Sequence, residues 1–138
     1  MTSGVYLHFP YCARKCPYCD FATTDKHDGR YDRFVEALIA EIRGWPARAE
    51  IEGLKSLRAH GAATAVFFGG GTPSLMTGDQ IGGILQAVRD VVGVEPGAEI
   101  TLEANPGTVD QASFHNFREA GVNRLSIGVQ SLRDKYLT

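Results

Sequence analysis

Three cysteines, Cys12, Cys16 and Cys19, are the only ones in the 138-residue chain, and they fall in the single run Tyr11-Cys12-Ala13-Arg14-Lys15-Cys16-Pro17-Tyr18-Cys19-Asp20-Phe21. An odd, clustered set is a poor disulfide framework and a good ligand set. Thiolates hold iron–sulfur clusters, and a cubane cluster has four irons. Three cysteines therefore leave one iron open to the amino and carboxylate groups of a bound cofactor. Three plainer readings stand beside this one. A structural zinc site needs four ligands, and His8 is the only histidine close to the loop. A Cys16-Pro17-Tyr18-Cys19 redox pair would leave Cys12 unexplained, with no helix N-terminus in evidence. The three could also be unligated core residues.

The elements that must hold this loop alternate along the chain. Strand-like runs at Val5–Phe9, Ala65–Phe68, Glu99–Glu103 and Arg124–Val129 are marked by β-branched or aromatic residues. A helix is expected over Tyr31–Arg43, with Phe34, Leu38 and Ile42 at helical spacing, ended by Gly44-Trp45-Pro46. A second amphipathic piece follows through Ile51, Leu54 and Leu57. Further helices are expected over Asp79–Val92, with Ile81, Ile84, Leu85 and Val88 on one face, and over Asp110–Ala120, closed by Gly121. This order argues for right-handed βαβ units and a parallel sheet.

The strand faces add a constraint. Val5, Leu7 and Phe9 oppose Tyr6 and His8; Ile100 and Leu102 oppose Thr101 and Glu103; Leu125, Ile127 and Val129 oppose Arg124, Ser126, Gly128 and Gln130. Strands buried on both sides usually read as continuous hydrophobic runs. With the apolar face against helices, the polar face would line a cavity, as in a wide or partial barrel that holds a ligand. An antiparallel sheet with one wet face would alternate in the same way.

Composition sets outer bounds. Fourteen basic and sixteen acidic residues give a net charge of −2, which carries no electrostatic footprint for nucleic acid. No basic stretch followed by an apolar run opens the chain, and no apolar run nears the roughly 20 residues of a membrane span. A soluble cytoplasmic domain is expected. His27 and His60 read as solvated loop or helix-end residues, His115 as a helix-surface residue, and His8 as facing the cavity; the four show no metal-ligand spacing. Gly69-Gly70-Gly71-Thr72-Pro73 could be only a strand-to-helix turn, and it is not a phosphate-binding Walker loop, since no Lys-Ser or Lys-Thr follows. Glu103 could be a surface carboxylate at a strand end.

Five segments in order carry a resemblance: Tyr6-Leu7-His8-Phe9-Pro10-Tyr11-Cys12, the cysteine loop, Gly69-Gly70-Gly71-Thr72-Pro73-Ser74, Leu102-Glu103-Ala104-Asn105-Pro106, and Gly121-Val122-Asn123-Arg124-Leu125-Ser126-Ile127-Gly128-Val129-Gln130-Ser131. Together they resemble the N-terminal half of the oxygen-independent coproporphyrinogen III oxidase family of radical S-adenosylmethionine (SAM) proteins. The resemblance implies an α/β fold, a partial (βα) barrel truncated to about four parallel βα units. Residues 1–138 would be the N-terminal part of a radical SAM core domain, without a second domain. It implies a [4Fe-4S] cluster on Cys12, Cys16 and Cys19. SAM would be contacted by Tyr6, Tyr18, Gly70, Gly71, Thr72, Glu103 and Gln130, the glycine turn taking the methionine amino group and Glu103 the ribose hydroxyls. The chemistry implied is one-electron reduction of a sulfonium, giving methionine and a 5′-deoxyadenosyl radical.

Within that family two activities differ in class. One branch oxidatively decarboxylates two propionates of coproporphyrinogen III; the other binds heme and hands it to acceptor proteins. Oxidases typically carry a fourth cysteine two residues after the third. Phe21 stands there, and Cys16-Pro17-Tyr18-Cys19-Asp20-Phe21 is similar to the heme-chaperone branch, which implies heme, an acceptor protein and an electron donor as partners. The family's barrel has about six βα units and a C-terminal domain. A chain ending after the fourth strand could also be an inactive fragment of either branch.

Overall fold

Strand and helix alternate as β1 (Ser3–Phe9), α1 (Asp32–Ile51), β2 (Ala63–Gly70), α2 (Gly78–Val91), β3 (Val94–Ala104), α3 (Gln111–Ala120) and β4 (Arg124–Ile127), with 3₁₀ turns at Pro73–Leu75 and Pro106–Thr108. The computed structural model describes residues 3–52, 61–133 and 135. All neighbouring strands pair in parallel, in the order β1-β2-β3-β4. Sequential order without reversal keeps every right-handed crossover on the same side of the sheet, the arrangement of barrels rather than of doubly wound sheets. The α/β class and the parallel βα units expected from the sequence are found.

Period-two alternation places the core. Leu7, Phe9, Val66, Phe68, Ile100 and Leu102 are buried on the helix side, packed with Ile81, Ile84, Leu85 and Val88 of α2 and Phe117 of α3. Fully burying a side chain such as Phe68 or Leu102 stabilises the fold by about 1.5–3 kcal/mol. Register aligns Val5 with Val66, Val66 with Ile100, and Leu102 with Leu125, so one apolar face runs across the sheet. Its last part is open: Leu125 and Ile127 are exposed. On the opposite face Tyr6, Phe67, Thr101 and Arg124 align in one row. Tyr6 stacks on Phe67 at 6.1 Å, and Thr101 is only 1% exposed beneath the Arg124–Glu99 pair at 3.3 Å.

Helix ends follow their caps. Thr77 and Gln80 form a reciprocal capping box at α2. Asp110 accepts from Ser113 N–H at α3, and Gly121 closes that helix at φ 110°. α1 departs from expectation, because it runs through Gly44-Trp45-Pro46 to Ile51. Proline costs an internal helix one hydrogen bond and a clash. Here the turn beyond it is fixed by buried Ala49, by the Arg48–Glu52 pair at 2.8 Å and by Arg48 over the Trp45 ring. The expected second amphipathic piece at Leu54 and Leu57, and His60, lie outside the described residues. β3 begins earlier than expected, since an irregular register lets Val94 pair with Ala63 before Glu99 pairs with Ala65.

Candidate functional site

The cysteine loop leaves β1 at its C-terminal end and returns to the strand it left. Tyr11 and Thr24 form a parallel bridge, with Cys12 N–H donating to the Thr24 carbonyl at 2.9 Å and Thr24 N–H to the Pro10 carbonyl at 2.8 Å. Within this closure, side chains hold the loop's carbonyls. Lys15 Nζ donates to Thr23 O at 2.9 Å and Phe21 O at 3.4 Å, and His8 Nε2 pairs with Ala22 O at 2.9 Å. The Lys15 N–H donates to Asp25 at 3.0 Å, which holds that carboxyl below its usual range. All three cysteines are free thiols; Cys12 is buried, Cys19 half-buried and Cys16 exposed.

The glycine turn that ends β2 approaches this loop closely. A Cβ on Gly71 would run into the Tyr11 carbonyl oxygen and come within 3.0 Å of Cys12 Sγ. Gly70 sits at φ 112°, a conformation that suits glycine. The amide groups of the turn are all engaged: Gly70 N–H donates to Glu103 Oε2 at 3.2 Å, Gly71 N–H to Phe9 O at 2.6 Å, and Thr72 N–H to Tyr11 O at 2.8 Å. With its donors spent, the turn offers a ligand acceptor oxygens. That chemistry suits an ammonium group and not a phosphate or carboxylate.

These parts converge. One cavity of about 300 Å³ at the C-terminal ends of the strands is lined by Cys12, Cys16, Cys19, Tyr18, Gly70, Gly71, Thr72, Glu103 and Gln130, together with Arg14, Phe21, Asn105 and Ser126. Nine of the ten residues singled out in the sequence thus line one space. Tyr6 is the exception: it lies on the same sheet face, its phenol pushed up by partial burial and then by the Glu103 charge. Its OH pairs with His8 Nδ1 at 3.2 Å. The Tyr18 phenol is also raised, first by its hydrogen bond with Cys16. A larger hollow of about 590 Å³ between β1, α1 and α2 contains none of the cysteines.

Two expectations about placement are corrected. β4 ends at Ile127 rather than Val129, so Gln130 does not extend a strand face. Gly128 N–H makes a last bond to Ala104 O, and β3 then turns away at Asn105, leaving later residues no ladder partner. Gln130 instead adopts φ 63° and reaches the cavity from a loop, with its Oε1 3.3 Å from Tyr18 OH. His27 is no solvated loop residue. It is half-buried against the rings of Tyr11 and Tyr31 and bonds to Cys12 O at 2.8 Å. Neither its type nor its spacing signals that contact; only the loop closure reveals it. Ser126 reaches the cavity from the polar strand face, as its alternation implies, whereas Arg14 does so without a sequence signal.

Among the described residues, no three histidine, cysteine or acidic side chains gather as ligands of a single metal ion. Ligands of a cubane each hold a different iron and stand wider apart. Three free thiols around one space, beside an acceptor turn, are a donor set that fits a cluster.

Comparisons agree with this geometry. The family model "Radical SAM superfamily" matches residues 6–138. The heme chaperone HemW of Escherichia coli is 40% identical over 97% of this chain and 33% of its own length, and that of Synechocystis is 38% identical over 99% and 32%. A mitochondrial radical S-adenosyl methionine domain-containing protein 1 of Danio rerio is 38% identical over 99% of this chain and 29% of its own length. The chain thus spans about a third of the curated relatives it matches. The solved structure of E. coli coproporphyrinogen III oxidase (HemN), a radical SAM enzyme, superposes with a TM-score of 0.75 at 27% identity, over 96% of this chain and 29% of that one. With the cysteine spacing, the parallel sheet and a family match over nearly the whole sequence in agreement, this chain belongs to the radical SAM superfamily.

Proposed function

We propose that Cys12, Cys16 and Cys19 hold a [4Fe-4S] cluster, and that SAM lies beside it against Gly70, Gly71, Thr72, Glu103, Tyr18 and Gln130. The observation that carries this reading is the single cavity lined by all three thiols and by the glycine turn and Glu103 of the next two strands. When bound, the cluster supplies one electron to the cofactor's sulfonium. The chain's own part is to bind and orient. The acceptor oxygens of the glycine turn receive the amino group, and Glu103, already fixed by the Gly70 N–H, accepts from the ribose hydroxyls. Tyr6 serves from a step away, fixing His8 at the base of the loop.

The protein served by this half-site is a heme-handling one of the chaperone kind, binding heme and passing it to an acceptor protein in the cytoplasm, with a separate electron donor. Phe21 supports this over the oxidase, because a side chain that cannot ligate iron occupies the place of the oxidases' fourth cysteine. The identity of about 40% to proteins named heme chaperones supports it too. The likeness to HemN supports the oxidase as the second reading. Residues 1–138 make up the N-terminal part of the core domain.

The test is anaerobic reconstitution with iron and sulfide, then electron paramagnetic resonance of the reduced protein with and without SAM. A [4Fe-4S]⁺ signal that shifts on adding SAM, lost in Cys12→Ser and weakened in its SAM response by Glu103→Gln, is expected. Stoichiometric zinc without a cluster would overturn the assignment. Hemin titration against coproporphyrinogen turnover then separates chaperone from oxidase.

A further inference from the structure

We propose that His27 is a positioning residue for Cys12, fixing the peptide from which that thiolate reaches the cluster; this rests on the cluster assignment above. The ring's tautomer is set by its neighbours. Gly29 N–H can only donate, and it meets His27 Nδ1 at 3.0 Å. Nδ1 therefore carries the lone pair and Nε2 the hydrogen, which is donated to the Cys12 carbonyl at 2.8 Å. The Cys12 N–H is held from the same returning segment, by the Thr24 carbonyl at 2.9 Å. Both peptide planes flanking Cys12 are thus fixed by residues beyond the loop.

The ring itself has little freedom. Tyr11 meets it edge-on at 5.5 Å and Tyr31 tilts against it at 5.3 Å, with Tyr31 OH 3.4 Å from Nδ1. These tyrosines pack in turn on Phe9 in the core. A chain of contacts therefore runs from the core to the first thiol. The backbones of Cys16 and Cys19 have no comparable support among the described residues: their one bond is to each other, Cys19 N–H to Cys16 O at 3.1 Å. Cys12 is the preset ligand of the three, and His27 is what presets it.

Three variants of the full chain test this. His27→Phe keeps a flat ring between the tyrosines and loses both hydrogen bonds. His27→Asn stays polar but is too short to span Gly29 and Cys12. His27→Gln has an amide that can accept from one and donate to the other. In the metal-free chain, iodoacetamide labelling of each cysteine is read by peptide mass; in the reconstituted chain, iron loss to a chelator is timed. His27→Phe and His27→Asn are expected to raise Cys12 labelling and iron loss by about fivefold, the factor one net hydrogen bond supplies, while Cys16 and Cys19 labelling stays unchanged. His27→Gln should restore both. Equal rises at all three cysteines would reduce His27 to a general support of the loop, and unchanged Cys12 labelling would also overturn the proposal. The two ideas fail separately: a wild-type cluster in Cys12→Ser refutes the ligand assignment, whereas the metal-free labelling pattern tests His27 without any cluster. If His27→Phe does not fold, His27→Asn alone decides.

Discussion

Gly71→Ala should damage fold and cluster site together, because one added methyl strikes backbone rather than a yielding side chain. The new Cβ would overlap the Tyr11 carbonyl oxygen and lie 2.8 Å from the Tyr11 carbonyl carbon and 3.0 Å from Cys12 Sγ. Overpacking of this kind costs about 1–3 kcal/mol. The same carbonyl accepts Thr72 N–H at 2.8 Å, so displacing it forfeits a hydrogen bond, about 1 kcal/mol more. Lower entropy of the unfolded chain returns about 0.4–1 kcal/mol. The net loss is about 2–3 kcal/mol, which for a chain of this size lowers the melting temperature by roughly 10 °C. Gly44→Ala is the control with opposite sign. Beyond its chain neighbours and the helix's own backbone, no atom lies within 4 Å of its would-be Cβ in α1, and replacing an interior helical glycine gains about 0.5–1 kcal/mol. Urea unfolding of both metal-free variants, with iron counted after reconstitution, is the assay. A Gly71→Ala chain with the wild-type midpoint and full iron would refute the close approach of turn and cysteine loop.

Three further substitutions probe the elements that carry the site. Pro46→Ala restores the missing helical N–H in α1 and should raise stability by about 1–3 kcal/mol in urea unfolding. Asn123→Ala removes the side chain that accepts from Ile100 N–H at 2.7 Å and donates to Ala98 O at 2.8 Å; losing both should cost about 2 kcal/mol, seen as a lower urea midpoint. Asp110 is held below its ordinary value of 3.8 by Ser113, first through the hydroxyl and then the backbone N–H. Its folded value lies below its unfolded one, so its contribution is complete above 3.8 and is lost as pH falls through the folded value. Asp110→Asn keeps a capping oxygen that cannot titrate, and should flatten the acid limb of a melting-temperature profile while lowering it slightly near neutrality, where the charged carboxylate's contribution is lost.

How far the sequence could be read depended on how local each cause is. The candidate ligand set was the most legible part, because cysteine type and spacing are written in eight consecutive residues, and the structure brings all three to one cavity. Thr101 and Glu103 were legible as one strand face through period alone; Glu103 lines the cavity, and Thr101 lies buried beneath Arg124 on the same face. The end of α1 was not, because Pro46 acts locally while burial of Ala49 is decided by the fold. The end of β4 was misplaced for a related reason: Val129 has strand chemistry, but a strand lasts only while its partner does, and β3 turns off at Asn105. His27 gave no signal, since its partner is a backbone carbonyl that any residue at position 12 would possess.

The same distinction divides the proposed site into a half held by the strands and an outer half that a cluster would complete. Cys12, the glycine turn and Glu103 are tied to strands β1, β2 and β3 by hydrogen bonds that need no metal. Cys16 and Tyr18 stand exposed on the outer part of the loop, and Phe21 beside them is 65% exposed. A cluster bonded to all three thiolates would cross-link the outer part to the inner one, ordering the side of the cavity that Tyr18 and Gln130 share. Metal binding would then contribute folding free energy locally, at the loop, while the sheet stands on its own core. SAM should accordingly bind the metal-free chain weakly, through the strand-borne half alone, and gain affinity in step with iron content. Isothermal titration across a series of partial reconstitutions measures this. Affinity independent of iron content would mean that the outer half is ordered without its cluster.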